Sequence, residues 1–317
     1  MSVLELIKEK IENAKSILIV THENPDGDAI GSSIGLMHGL KKIEKKVDVF
    51  IPVMSKMYEF LPGYECVKTE LESDANYDLC IALDSSDIDR LGAGKEWFEK
   101  IENTIVIDHH ITNQNFGDAN YVNAVASSTC QNITVILATL DIAFNKDMAT
   151  CIYAGMLTDT GGFRYNVQPE TFELIGVLLE TGIDIAKIYK NLFDVTTMAR
   201  TKLLGRAIER LELLENEKVA YTYITEDDLK EFGNEEGDYE NIVNYGKNIE
   251  GVEVSVLIRE KDGKFKVSLR SNEYVDVSLI ASKYAGGGHI KAAGFELAVT
   301  LEQAKETVLS EIKKQFK

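Results

Sequence analysis

The most constraining feature of this sequence is a short apolar run followed at once by a group of polar side chains. Residues 16–20 read Ser-Ile-Leu-Ile-Val, and residues 22–28 read His-Glu-Asn-Pro-Asp-Gly-Asp. An uncharged run of aliphatic and β-branched residues predicts a strand buried on both faces, as in a parallel sheet. The proline fixes φ and the glycine permits a tight bend, so His22, Asp26 and Asp28 can converge. Imidazole and carboxylate together favour a divalent transition metal over calcium. The alternative is a simple helix start, in which one of these polar residues serves only as the N-cap.

The same pattern recurs twice further along the chain. The apolar run 77–83 ends at Asp84, and the run 104–107 ends at Asp108-His109-His110. In open parallel sheets, ligands bind in the crevice outside the carboxyl ends of the strands. Three such endings therefore favour one common site over unrelated helix caps. A predicted helix further on leads to Asp159, which precedes a glycine pair and hence a turn.

The spacing of apolar residues predicts an α/β fold in two domains. Strands that alternate with helical segments predict a mainly parallel sheet flanked by helices in the first domain. From Val219 the pattern changes to strand-like alternation, which predicts a smaller α+β domain. We place the domains at residues 1–195 and 213–317, joined by a helical connector at 196–212. The predicted helices are 4–13, 29–42, 127–140, 148–157, 170–180, 183–192, 200–215 and 275–284, and the predicted strands are 16–20, 46–52, 77–83, 104–107, 219–223, 252–258 and 265–270.

Composition and charge exclude several classes of function. With 44% hydrophobic and 27% charged residues, the 317-residue chain has the composition of an ordinary globular protein. Without a secretory leader or an apolar run approaching about 18 residues, we expect a cytoplasmic protein with no membrane partner. Four scattered cysteines favour reduced, buried thiols over a zinc knuckle. The net charge of −18 argues against binding of long duplex nucleic acid. A short anionic substrate held by metals and a few cations stays open.

Histidine is scarce, and its placement is informative. Of the five histidines, three lie at strand ends beside carboxylates, and His289 follows three consecutive glycines. His38 lies within a predicted helix, where a packing or surface role is expected. So concentrated a supply of imidazole is hard to explain by packing alone.

Taken together, these motifs resemble those of the DHH phosphoesterase superfamily and its associated C-terminal substrate domain. The resemblance covers nearly the whole chain, and a compact pair of domains without further modules is most similar to the oligoribonuclease (nanoRNase)/pAp phosphatase branch. The matching stretches are His22-x-Asn24-Pro25-Asp26-Gly27-Asp28, Asp84, Asp108-His109-His110, Asp159 within residues 157–161, Ser268-Leu269-Arg270-Ser271 and Gly286-Gly287-Gly288-His289.

The resemblance implies a site for two Mn²⁺ ions, with Mg²⁺, Co²⁺ or Zn²⁺ as other candidates. Two such ions activate a water for in-line attack on phosphorus. The resemblance also makes Asp108 a residue that orients an imidazole, and His110 a hydrogen-bond donor or acid facing the scissile phosphate. The sequence alone cannot separate the roles of two adjacent histidines. The implied ligands are His22, Asp26 and Asp84 for one ion, and Asp28, Asp84, His109 and Asp159 for the other.

For the second domain, the resemblance implies recognition of a terminal phosphate. An arginine would bind it bidentately, and glycine N–H groups can approach an anion closely. By itself, a Gly-Gly-Gly-His run is more often a plain turn. Arg164, after the Asp159 turn, is a further candidate cation, with a surface ion pair as the alternative, and Lys291 is similar. The implied substrate-binding residues are Arg270, Ser271, Gly286, Gly287, Gly288, His289 and Arg164.

The implied enzyme hydrolyses short oligonucleotides (nanoRNA and linear dinucleotides) to mononucleotides, and 3′-phosphoadenosine 5′-phosphate (pAp) to AMP and phosphate. Its partners would be short single-stranded RNA or nucleotides, and it would be a monomer or a homodimer. A cyclic-dinucleotide phosphodiesterase needs the same metals and the same phosphate recognition, so it stays open. A manganese inorganic pyrophosphatase would favour a second domain rich in lysine and arginine. A non-catalytic nucleotide-binding protein would not need a bridging carboxylate.

Overall fold

The chain divides into two units, Met1–Val195 and Thr196–Lys317. Six parallel strands form the sheet of the first unit. The computed structural model describes residues 2–233, 238–239 and 241–316. The strands of the first unit are β1 (Ser16–Thr21), β2 (Lys46–Phe50), β3 (Val67–Lys68), β4 (Leu79–Leu83), β5 (Thr104–Asp108) and β6 (Ala119–Val122). Its helices are α1 (Val3–Asn13), α2 (Gly27–Lys42), α3 (Gly94–Lys100), α4 (Thr129–Thr139), α5 (Lys146–Asp159), α6 (Pro169–Glu180) and α7 (Ile185–Tyr189), which continues as a π-helix over Lys190–Asp194.

Helices cover both faces of this sheet. Along β1, Ile17 and Ile19 pack into a core that includes residues of α2, α4 and α5, whereas Leu18 and Val20 pack with Phe98 of α3. The four β1 side chains have no exposed surface, as expected for a strand of a parallel sheet. The prediction of an α/β fold with a mainly parallel sheet flanked by helices is confirmed.

The strand order fixes where a ligand can bind. The order is β3-β2-β1-β4-β5-β6, so the chain runs outward from β1 and then returns to β4 on its other side. In a sheet of this kind, the crevice lies at the carboxyl ends of the strands where the order reverses. That position is between β1 and β4, the strands that precede His22 and Asp84.

Helices α2 and α5 pack closely because glycines line their contact. A Cβ atom on Gly31 would lie 2.5 Å from the carbonyl oxygen of Cys151, and one on Gly155 would lie 3.0 Å from that of Gly27. The close packing brings the first turn of α2, with Asp28, near the last turn of α5.

The second unit is built on a mixed six-stranded sheet. Its strands are β7 (Glu212–Leu214), β8 (Val219–Ile224), β9 (Val254–Lys261), β10 (Lys264–Ser271), β11 (Gly287–His289) and β12 (Ala292–Leu297), and its helices are α8 (Met198–Glu209), α9 (Glu226–Phe232), α10 (Ile242–Lys247), α11 (Val277–Ser282) and α12 (Leu301–Lys313). The order is β11-β12-β10-β9-β8-β7, in which β8 and β9 pair parallel and the other neighbours antiparallel. One core lies beneath α11 and α12, and a second lies beneath α8, α9 and α10.

The segment at residues 200–215 differs from its sequence prediction. The helix predicted over residues 200–215 ends at Glu209, and Glu212–Leu214 pairs with β8 as a strand. Leu203 and Ala207 of α8 are buried against residues of the second sheet, so this helix belongs to the core of the second unit.

No helix in the described part of the chain is long and apolar enough to cross a membrane.

Candidate metal centre

Side chains at the carboxyl ends of three neighbouring strands converge on one buried point. His22 follows β1 and places Nε2 3.7 Å from Oδ2 of Asp84, which follows β4. His109 follows β5, and its Nε2 lies 3.7 Å from the other Asp84 oxygen, 3.6 Å from Asp159 Oδ2 and 3.9 Å from Asp28 Oδ2. These separations are too long for hydrogen bonds and resemble the spacing of ligand atoms around a common ion.

Three groups of ligand atoms are each close enough to hold one ion, with all atoms of a group within 4.8 Å of one another. Together the groups contain all six ligands that the sequence implied, and they also contain His110. They are His22 with Asp26 and Asp84, Asp28 with His109 and Asp159, and Asp84 with His109 and His110.

The segment after β1 starts helix α2 with a capping carboxylate. Asp26 is the N-cap of α2, and its Oδ1 accepts hydrogen bonds from the backbone N–H groups of Asp28 and Ala29 at 3.0 and 3.1 Å. A capping carboxylate keeps lone pairs for other partners. The helix-cap interpretation and the metal interpretation of residues 22–28 are therefore compatible.

Asp84 has an unusual backbone conformation. Its φ is +55°, in the left-handed region that residues other than glycine seldom adopt. Its backbone N–H donates to the carbonyl of Ile107, which ties the end of β4 to β5. Strain of this kind persists where the surroundings hold it, and it is concentrated at functional sites.

The crowding of carboxylates creates a demand for positive charge. Burial, followed by the charge of Asp84, raises the pKa of Asp28 well above its usual range. Burial also raises the pKa of Asp159 to about 6, against an opposing effect of His109. Burial alone would raise the pKa of Asp84, but its interaction with His22 and the charges of His109 and His110 lower it overall. The candidate ligand groups together contain four carboxylates and three imidazoles.

The donor set fits a divalent transition metal. Carboxylates and imidazoles are the mixture that manganese and zinc accept. His22 is buried, and its Nδ1 has no hydrogen-bond partner among the described residues. Its Nε2 faces Asp84 and is therefore the ring nitrogen that could reach an ion held by that carboxylate.

Asp108 orients the second histidine of its motif. His110 Nδ1 lies 2.7 Å from Asp108 Oδ1, and this hydrogen bond is the largest cause of a raised His110 pKa. The other carboxylate oxygen accepts from Asn113 Nδ2 at 2.7 Å. The expectation that Asp108 orients an imidazole thus becomes specific to His110, because the His109 ring faces the carboxylates Asp28, Asp84 and Asp159. Asp108 contacts His109 through the backbone N–H of that residue, at 2.8 Å.

Two residues around the site were missed in the sequence, Asn113 and Thr129. Asn113 braces Asp108, and Thr129 donates its hydroxyl proton to Asp84. Nothing local in the sequence marks Asn113. The Ser127-Ser128-Thr129 run is typical of a helix start, but it does not show which carboxylate the helix meets.

In the second unit, Arg270 and His289 lie in one row across three strands. Arg270 on β10 pairs with Ala292 on β12, which pairs in turn with His289 on β11. Residues directly paired across strands present their side chains on the same face of the sheet. Burial lowers the pKa of Arg270, and His289 is exposed.

Arg270 Nη1 donates to the carbonyl of Leu269 at 2.9 Å, and other predicted substrate residues also have partners within the protein. Ser271 is buried and its hydroxyl donates to the carbonyl of Val275 at 2.7 Å, so a direct substrate contact by this side chain is not supported. Arg164 Nε donates to the carbonyl of Gly161 at 2.9 Å, and the Lys291 ammonium donates to that of Glu273.

The glycines before His289 form an edge strand and not the plain turn that such a run alone suggests. A Cβ on Gly286 would lie 2.3 Å from the carbonyl oxygen of Gly294, and Gly288 has φ +140° and lies against Ala292. These two glycines are therefore required for close approach to β12. Gly287 has open space around it.

Comparison with known proteins agrees with this fold. Residues 16–156 match the model of the DHH family, N-terminal domain, and residues 216–317 match that of the DHHA1 domain. The chain belongs to the DHH family of phosphoesterases, which are metal-dependent hydrolases that act on phosphodiester bonds.

Similar proteins extend over nearly the whole chain. The bifunctional oligoribonuclease and PAP phosphatase NrnA of Thermus thermophilus is 32% identical over 317 residues, which cover 99% of this chain and 94% of the relative. The protein of the same name from Bacillus subtilis is 29% identical over 286 residues, 88% of each chain. The crystal structure of an exopolyphosphatase-related protein from Bacteroides fragilis superposes with a TM-score of 0.91 at 30% identity, covering 98% of this chain and 96% of that one.

Proposed function

We propose that this protein is a two-metal hydrolase of short oligonucleotides, including linear dinucleotides, and of pAp. The observation that carries the proposal is a shared carboxylate. Asp84 Oδ2 faces His22, and Asp84 Oδ1 faces His109, so one side chain borders two donor groups. A bridging carboxylate is what two divalent ions about 3.5–4 Å apart need. The two relatives described above are named as enzymes with both activities.

We assign one ion to His22, Asp26 and Asp84, and the other to Asp28, Asp84, His109 and Asp159. Manganese is the proposed metal, because the donors mix imidazole with carboxylate. When bound, the ions act as Lewis acids and supply a nucleophile from water at neutral pH.

The protein's own residues orient the substrate and handle its proton. Asp108 accepts from His110 Nδ1 and favours the protonated ring, which leaves Nε2 without a partner among the described residues. We assign this Nε2–H to hydrogen bonding with a phosphate oxygen or with the leaving oxygen. Negative charge that develops on the phosphoryl and leaving oxygens makes such a donor most useful in the transition state.

The second unit is proposed to select short substrates. Arg270 and His289 share one face of its sheet and are the proposed partners of a terminal phosphate. The net charge of −18 opposes long polyanions, so a phosphate site this small favours nucleotides and short single strands over duplexes.

The proposal is tested by turnover of a substrate panel with manganese. The panel contains pAp, short RNA oligomers, cyclic dinucleotides and pyrophosphate. We expect pAp and the RNA oligomers to be hydrolysed. Fastest turnover of cyclic dinucleotides or of pyrophosphate would assign the protein to that activity instead.

The matching variant is Asp84→Asn, which removes the bridging charge. We expect it to lower kcat/KM for pAp by at least about 10²-fold and to reduce bound manganese. The control is Asp89→Asn, which alters an exposed aspartate in the loop after β4 that pairs with Lys95. Undiminished hydrolysis by Asp84→Asn would refute the metal assignment.

A further inference from the structure

Helix α4 begins directly against the buried carboxylates of the metal centre. The first two backbone N–H groups of the helix, those of Thr129 and Cys130, donate to Oδ2 and Oδ1 of Asp28 at 2.6 and 2.8 Å. Such N–H groups have no partner within the helix and lie at its positive end. They stabilise a carboxylate that is 1% exposed.

The side chain of Thr129 reaches a second carboxylate. Its Oγ1 lies 3.0 Å from Oδ1 of Asp84, and both residues are buried. Because an ionised carboxylate can only accept, the hydroxyl donates this hydrogen bond. Thr129 therefore binds Asp28 through its main chain and Asp84 through its side chain, and both aspartates are proposed ligands.

The hydrogen bond from Thr129 restricts the terminal side-chain torsion of Asp84, which sets the direction of its two oxygens. The terminal torsion of an aspartate is broad and roughly two-fold, so packing alone does not settle the direction of its lone pairs. Oδ1 is the oxygen nearest to His109 Nε2, at 3.7 Å, and Oδ2 is the one nearest to His22 Nε2. With one direction at Oδ1 occupied by the hydroxyl, Oδ1 lies 3.7 Å from ring nitrogens of both His109 and His110, and Oδ2 lies 3.7 Å from that of His22.

We infer that Thr129 is a positioning residue, whose hydroxyl sets the rotation of the Asp84 carboxylate so that both donor groups are assembled before metal binds. This inference rests on the two-metal function proposed above and deepens it. Thr129 is not itself a proposed ligand, and its effect on the metals passes through Asp84.

The test is manganese binding to metal-free protein by isothermal titration calorimetry. Thr129→Val keeps the shape and the backbone N–H but removes the hydroxyl, whereas Thr129→Ser keeps both donors. We expect the valine variant to raise the Kd for Mn²⁺ by about 10–100-fold, and the serine variant to stay close to wild type. In turnover of pAp, the valine variant lowers kcat while KM is maintained.

A matched control lies in the same helix. Thr134 is 5% exposed, and its hydroxyl donates to the carbonyl of Gln131 at 2.7 Å, away from the carboxylates. Thr134→Val should leave the Kd for Mn²⁺ unchanged. An equal loss in both valine variants would overturn the inference, because it would report general damage to α4.

The outcomes separate this inference from the proposed function. Wild-type protein that binds no manganese would refute the two-metal function. Wild-type binding with an unchanged Kd and stoichiometry in Thr129→Val would refute the positioning role alone. If Thr129→Val fails to fold, Thr129→Ala provides the same comparison. Failure of both to fold, even with saturating manganese, would also overturn the inference, because it would make Thr129 a requirement of the fold.

Discussion

At the scale of single residues, the candidate site is organised by groups that hold carboxylates in place. Asn113 shows this for the histidine motif, since its side-chain amide donates to Asp108 at 2.7 Å and to the carbonyl of Ser85 at 2.9 Å. Asp108 in turn holds the ring of His110. One amide thus links the loop after β4 to the end of β5.

Substitution of Asn113 by alanine should loosen this arrangement. We expect Asn113→Ala to lower kcat for pAp by about 10–100-fold through disorder of Asp108 and His110, because supporting partners of this kind carry effects of that size. KM and bound manganese should change little, since neither Asp108 nor Asn113 is a proposed ligand. The measurement is steady-state kinetics together with metal analysis of the purified variant.

The neighbouring residue provides the control for that prediction. Gln114 is exposed and is anchored through its backbone N–H to the carbonyl of Ser86, so Gln114→Ala should behave as wild type. Unchanged kcat in Asn113→Ala would show that His110 needs no support from this amide.

The sequence predicts which residues are candidate metal ligands better than it predicts which hydrogen-bond partners the site residues have. His22, Asp84 and His109 follow buried apolar strands, and parallel strands end at one edge of their sheet. Neither the pairing of Asp108 with His110 nor the burial of the Ser271 hydroxyl follows from such a pattern. Both depend on side-chain direction and on contacts with distant segments, which no local signal records.

At the scale of elements, the sequence predicts long segments and misses short ones. Strands β1, β4 and β5 are uniform apolar runs, and helices such as α2 and α6 have clear apolar periodicity. Strand β11 consists of two glycines and a histidine, and β3 contains only two residues. Strands this short form because a neighbouring strand is already in place, so their own residues contain no sufficient signal.

The contact of α2 with α5 makes a prediction about glycine. Gly31→Ala places a Cβ against the carbonyl of Cys151, a backbone atom that cannot move aside cheaply. We expect a loss of about 1–3 kcal/mol in the free energy of unfolding, because overpacked contacts cost amounts of that order. Urea unfolding of metal-free protein measures the change, and weaker manganese binding should accompany it because α2 carries Asp28.

A second helical glycine serves as the matched control. Gly176 in α6 is exposed, and a Cβ atom added to it would meet nothing within 4 Å among the described residues. Gly176→Ala should therefore stabilise the protein by about 0.5–1 kcal/mol through the lower entropy of the unfolded chain. A stabilising effect of Gly31→Ala would contradict the close contact of the two helices.

At the scale of the whole molecule, each unit has its own hydrophobic cores. The parallel sheet has cores on both of its faces, and so does the mixed sheet of the second unit. The grouped metal ligands proposed here, from His22 to Asp159, belong to the first unit alone. Because a ligand that binds only the folded state stabilises it by an amount that grows with the logarithm of ligand concentration, manganese should stabilise the two units unequally.

Hydrogen exchange read by mass spectrometry can measure this difference directly. With manganese at 100 times the Kd of each site, we expect peptides from β1, β4 and β5 to gain about 2.7 kcal/mol of protection per bound ion against global opening of the first unit. Peptides from β9 and β10 should keep the protection they have in chelator. Asp84→Asn provides the control, because it should abolish the gain without lowering the protection of the second unit. An equal gain in both units would show that manganese binding stabilises both units together. No gain in either unit would refute the assignment of the manganese site to the first unit.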